Sequence, residues 1–116
     1  MVAISGDCHL LGLDLEKINR LSTDATKKVL HPVEESFVAG DQLKASIFFS
    51  LKEAFYKAQF PKWRTEGNFK DLALAVNLAK GTAKICKMDA RFNLEIAQLR
   101  FRFCVINDYV ISLSWM

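Results

Sequence analysis

Five side chains in two short stretches carry the chemistry that this sequence can offer. Asp14 and Glu16 belong to Leu11-Gly12-Leu13-Asp14-Leu15-Glu16, and Lys52, Glu53 and Lys57 belong to Phe49-Ser50-Leu51-Lys52-Glu53-Ala54-Phe55-Tyr56-Lys57. Carboxylate oxygens are the natural ligands of Mg²⁺, which takes a few of them and completes its shell with water and substrate phosphates. Lysine ammonium groups neutralise the phosphate oxygens that a metal does not reach. Three carboxylates with two lysines therefore point to a metal-bound, phosphate-rich ligand and to a phosphate-transfer site.

Each group also has a plainer reading. Ser50-Leu51-Lys52-Glu53 fits the S-x-x-E capping box, in which Glu53 would only start a helix. Glu53 and Lys57 are i, i+4 neighbours and could form an exposed ion pair of ~0.3–0.5 kcal/mol. Asp14 and Glu16 could face solvent. Lys52, Lys57, Lys62 and Arg64 form either an anion-binding patch or a solvated helix face. His9 and His31 have no partner at metal or triad spacing. No G-x-x-x-x-G-K-[ST], G-x-G-x-x-G or H-E-x-x-H is present.

The elements that must position these groups follow from periodicity. Val2 to Ser5 reads as a strand, Gly6-Asp7 as a turn and His9 to Glu16 as a second strand. In that second strand Leu11, Leu13 and Leu15 alternate with Gly12, Asp14 and Glu16, so the leucines are expected in the core. Asp14 and Glu16 then share the other face, where Gly12 leaves room for a ligand. Short helices are expected at Thr23 to Leu30 and from His31-Pro32 onward, where proline suits a first turn. The main helix should run from an Asp41 cap to about Gln59, with Leu43, Ile47, Leu51, Ala54, Phe55 and Ala58 as its buried stripe and Pro61 as its end.

Beyond the Gly67-Asn68 loop the chain is strand-rich: Leu72 to Leu78, Thr82 to Met88, Phe92 to Ile106 with a break, and Tyr109 to Trp115 after an Asn107-Asp108 turn. Leu99, Phe101, Phe103 and Val105 alternate with polar residues, as do Ile111, Leu113 and Trp115, so one face of that hairpin should lie under the helix. The expected architecture is α+β: one domain, residues 1–116, with an antiparallel sheet packed against one long helix.

Composition narrows the function classes. At 116 residues the chain suits one core. A net charge of +3 is too mild to imply nucleic acid as a partner. Cys8, Cys86 and Cys104 are odd in number without a C-x-x-C pair, which suggests neither a disulfide framework nor a zinc site. No signal-like start and no run of ~20 apolar residues is present, so the expectation is a cytoplasmic protein without a membrane partner.

The two stretches together resemble the two-part signature of the 4'-phosphopantetheinyl transferase superfamily, G-[IV]-D-x-E followed by [FW]-[SCT]-x-K-E-[AS]-x-x-K. The gap between them, the Pro32 to Glu35 stretch, Phe69 and the C-terminal hairpin are similar to the surfactin-type and enterobactin synthase component D group. The resemblance implies magnesium-dependent transfer of phosphopantetheine from coenzyme A to a serine of an apo carrier protein, releasing 3',5'-ADP. It makes Asp14, Glu16 and Glu53 metal ligands, Lys52 and Lys57 coenzyme A phosphate ligands, and Glu53 and Lys57 catalytic groups. Siderophore synthesis is the pathway class it favours. That group is built of two similar halves and this chain resembles the second, so a homodimer or a separate first half is expected to complete the cleft. The alternative is a truncated or non-catalytic half that only binds coenzyme A or a carrier protein.

Overall fold

The computed structural model describes residues 10–19 and 21–116. The strand expected at 2–5 and its turn lie outside them. The elements in chain order are β1 (Leu11–Lys17), α1 (Thr23–Val29), α2 (Pro32–Val38), α3 (Gln42–Trp63), β2 (Leu72–Asn77), β3 (Thr82–Met88), β4 (Arg100–Ile106) and β5 (Tyr109–Trp115), with 3-10 turns at Phe69–Asp71 and Leu94–Gln98. The strands form one antiparallel sheet in the order β1-β5-β4-β3-β2, so β1 is an edge strand paired with the last strand of the chain. This is the α+β architecture expected, with α3 lying across the sheet. Among the described residues no helix is long and apolar enough to cross a membrane.

Local chemistry sets the limits of α3. Asp41 Oδ1 accepts the Lys44 N–H at 3.0 Å, capping the first turn. Ser50 therefore sits in mid-helix, and the capping-box reading of Glu53 falls away. The helix also runs through Pro61 to Trp63, beyond the expected end. Pro61 has no N–H to give the Lys57 carbonyl, yet the helix continues two residues past it before Arg64 closes it in the left-handed region (φ 54°). Ile47, Phe48, Leu51, Phe55 and Ala58 form the buried stripe against Leu72, Leu74, Phe92, Ile96, Leu99, Phe101 and Val110, whereas Leu43 is exposed. Phe55 meets Phe92 edge-on at 5.6 Å between centroids.

β1 and β5 are turned over relative to expectation. Gly12 and Asp14 of β1, with Ser112 and Ser114 opposite them on β5, are the buried residues under α3. Leu11, Leu13 and Leu15 instead lie on the outer face and are exposed. Contact distance explains the inversion. A Cβ at Gly12 would collide with the Ala54 carbonyl oxygen and the Ala58 nitrogen, so α3 approaches β1 too closely for leucine on that side. Gly12 thus leaves room for the helix, not for a ligand. Ile111, Leu113 and Trp115 share the outer face with the leucines and are half-buried. Phe101 and Phe103 do face inward, as read, since they pair with Ser114 and Ser112.

Candidate active site

Where α3 crosses β1, the two halves of the chemical set meet. Asp14 is 4% exposed and points toward the helix, and Lys57 reaches across to it from α3. The Lys57 ammonium donates to Asp14 Oδ1 at 2.9 Å and to the Leu13 carbonyl oxygen at 3.2 Å. The exposed Glu53–Lys57 pair suggested by helix spacing is not what forms; Lys57 spends its charge on β1. Asp14 Oδ2 is buried and has no hydrogen-bond partner. An unsatisfied carboxylate oxygen in such a place is costly unless something cationic meets it.

Electrostatics ties the remaining carboxylates to this point. Burial pushes Glu16 up to about 7, with the neighbouring Asp14 and Glu53 carboxylates raising it further and Lys57 opposing. Burial likewise raises Glu53, with the Asp14 charge adding and Lys57 subtracting. Lys57 is raised chiefly by its hydrogen bond to Asp14. Three carboxylates thus share one cation, an arrangement that holds protons or a further cation tightly.

The donor set suits a hard divalent ion. Oxygen donors alone, one of them orphaned and two with raised proton affinity, are what Mg²⁺ selects. As they stand, no three Asp, Glu, His or Cys side chains among the described residues are close enough to hold an ion. Asp14 sits on a fixed strand, whereas Glu16 and Glu53 are half-buried long side chains whose torsions can turn toward it.

Lys52 lies apart from this group. It was expected to bind a coenzyme A phosphate beside Lys57, yet it is fully buried on another flank of α3. Its ammonium donates to Glu34 Oε1 at 2.6 Å, the Val29 carbonyl at 2.8 Å and the Phe69 carbonyl at 2.9 Å. An ammonium has three protons, and all three are used. Burial lowers its proton affinity and the Glu34 carboxylate restores part of it. Glu34 escaped the sequence reading; its signal was the His31-Pro32-Val33-Glu34 pattern, which forms a capping box at the start of α2.

A sequence model of the 4'-phosphopantetheinyl transferase superfamily matches residues 10–114 and so includes every one of these groups. The chain belongs to this superfamily. No curated protein sequence matches it. Solved structures show the same fold in members of the holo-synthase type. The holo-[acyl-carrier-protein] synthase of Neisseria meningitidis superposes with a TM-score of 0.68 at 17% identity, covering 93% of this chain and 97% of that one. The Helicobacter pylori enzyme, solved in complex with coenzyme A, gives 0.67 at 18%, covering 90% and 97%. The Thermotoga maritima enzyme gives 0.67 at 18%, covering 93% of this chain but 62% of its own. This chain thus spans less than two-thirds of the length of the Thermotoga superfamily member.

Proposed function

We propose that this chain transfers the 4'-phosphopantetheine arm of coenzyme A to a serine hydroxyl of an apo acyl or peptidyl carrier protein, with Mg²⁺ as cofactor. The observation that carries the reading is the Lys57–Asp14 contact at the crossing of α3 and β1, which leaves Asp14 Oδ2 without a partner, with Glu16 and Glu53 near enough to feel the Asp14 charge. Superfamily membership over residues 10–114 supports it. The Helicobacter pylori relative was solved with coenzyme A bound, which supports that molecule as co-substrate here.

In this reading Asp14, Glu16 and Glu53 hold the ion. When bound, Mg²⁺ supplies Lewis-acid polarisation of the pyrophosphate oxygens and a template for the transfer. Lys57, half exposed and already at the carboxylates, binds a coenzyme A phosphate and offsets the negative charge that grows on the leaving 3',5'-ADP. The serine oxygen forms the new bond to phosphorus as the bond to the bridging oxygen breaks. Glu53, whose proton affinity is raised by burial and by Asp14, accepts the serine proton. Lys52 takes no part in phosphate binding. The exposed, unpaired thiols of Cys86 and Cys104 suit a reducing compartment, and the cytoplasm is the proposed location.

The outer sheet face favours a second component. Leu11, Leu13, Leu15, Ile106 and Tyr109 are exposed there beside Ile111, Leu113 and Trp115, an apolar area larger than isolated singletons. A second copy of the chain is the proposed cover, and a separately encoded first half is the other reading.

The deciding experiment is mass spectrometry of an apo carrier protein incubated with this chain, coenzyme A and Mg²⁺. The phosphopantetheine adduct is expected. Its absence, at chain concentrations where self-association is complete, would reduce the protein to a binding half.

A further inference from the structure

The Glu34–Lys52 contact joins more of the fold than an ion pair needs to. Lys52 of α3 ties to the end of α1 through the Val29 carbonyl, to the turn after α3 through Phe69, and to α2 through Glu34. Glu34 Oε1 also accepts the His31 N–H at 2.8 Å, and Oε2 accepts the Leu74 N–H of β2 at 2.6 Å. Both side chains are almost completely buried. A well-packed apolar pair would stabilise such a place about as well, so stability alone does not explain it. What an apolar pair lacks is direction. Three bonds fan out from Lys52 and two more fix its partner Glu34, so this point of the helix is held in direction as well as distance.

Orientation matters because Lys52 and Glu53 are consecutive, and Lys57 follows one turn later. Side chains stand ~5–6 Å from a helix axis, so a rotation of about 20° sweeps a side-chain tip through about 2 Å. A misplacement of about 1 Å can cost about 10²-fold in rate. On the other flank α3 meets β1 through the close Gly12–Ala54 approach and the half-exposed Lys57, whose flexible stem follows a rotation more easily than the buried Lys52 does.

We propose that Glu34 is a positioning residue: through Lys52 it fixes the rotation of α3 and so aims Glu53 and Lys57 at Asp14 and Glu16. This rests on the transferase reading above for its consequence, though not for its geometry. Lys52 then acts on the site without touching substrate.

The test uses Glu34→Gln, Lys52→Met and the double variant in the full chain, together with the partner half if one proves necessary. Each single change strands a buried polar or charged group, and should lower Tm by about 10 °C or more. The double variant should regain at least half of that loss; additive losses would overturn the coupling. In the double variant, NMR should show the Lys57 contact to Leu13 and Asp14 weakened or lost, and an intact contact would overturn the positioning role whether or not the protein is a transferase. In the adduct assay, kcat of the double variant should fall at least tenfold with KM for coenzyme A within about threefold of the parent. A tenfold rise in KM with kcat preserved would instead place Lys52 on the phosphates and sink the proposal. If the parent chain forms no adduct, it is the transferase reading that fails, and the Tm and NMR outcomes still decide the clamp.

Discussion

Lys57 and Asp14 lie 2.9 Å apart, and this contact joins the long helix to the edge strand where Asp14 carries its buried, unpartnered oxygen. One partner is half exposed on a flexible stem and the other is buried on a fixed strand. Such a pair is a poor source of stability but a good cation holder, since the lysine can leave Asp14 for a phosphate when a metal takes its place.

Removing Glu53 should separate activity from stability. Glu53 is half-buried, and its charge is opposed by Asp14, so Glu53→Ala should leave Tm of the metal-free protein unchanged or slightly higher. Adduct formation should fall by about 10²–10³-fold, the scale of losing one well-placed catalytic group. Mass spectrometry of the carrier protein and a thermal melt check the two halves, and unaltered transfer would remove Glu53 from the mechanism.

The pH dependence of metal-free stability follows from Glu16. Its folded-state value of about 7 exceeds the ordinary 4.5, so the folded protein holds this proton more tightly than the unfolded chain. The resulting stability is complete below about 4.5 and is lost as pH rises through about 7. Tm should therefore fall between pH 5 and 7.5, and Glu16→Gln should flatten that slope. Adding Mg²⁺ at pH 7.5 should restore Tm in the parent and much less in the variant, because ion binding to the folded state raises its stability. A melt series with and without the ion measures both.

Gly12→Ala should be more damaging than its size suggests. The added methyl meets backbone atoms of Ala54 and Ala58, which do not swing aside as a side chain would. A loss of about 3 kcal/mol or more is expected, at the upper end of overpacking costs. Leu15→Ala on the outer face, 59% exposed, should cost less than about 1 kcal/mol in the isolated monomer. Urea denaturation of the two variants side by side would expose an error if their order were reversed.

Charge on the outer face should block assembly without unfolding the chain. Leu13→Lys with Leu113→Lys places two ammonium groups on cross-strand partners, within the apolar area and away from α3. Light scattering should show a larger species for the parent and a monomer for the variant, with circular dichroism unchanged and adduct formation lost. A monomeric parent that still forms adduct would show that no second copy is needed.

Much of the fold could be read from local pattern. Asp41 and the apolar spacing from Ile47 to Ala58 located α3, and the Asn107-Asp108 turn located the final hairpin. Pro61 misled because proline disfavours continuing a helix, whereas α3 carries on through it to Trp63. The leucines of β1 misled for a different reason. Their exposure is set by how closely helix residues more than forty positions away approach Gly12, and nothing in the strand's alternation carries that distance.

The sequence by itself determined which groups would be available: alternation put Asp14 and Glu16 on one side of a strand, and helical spacing put Glu53 and Lys57 on one flank of α3. Alternation of period two is symmetric, however, and names two faces without saying which one meets the helix. Only the tertiary structure decided that Asp14 turns inward, that the leucines turn out, and that Lys52 is consumed by Glu34. Those outcomes depend on distances between segments remote in the chain, which local periodicity does not encode.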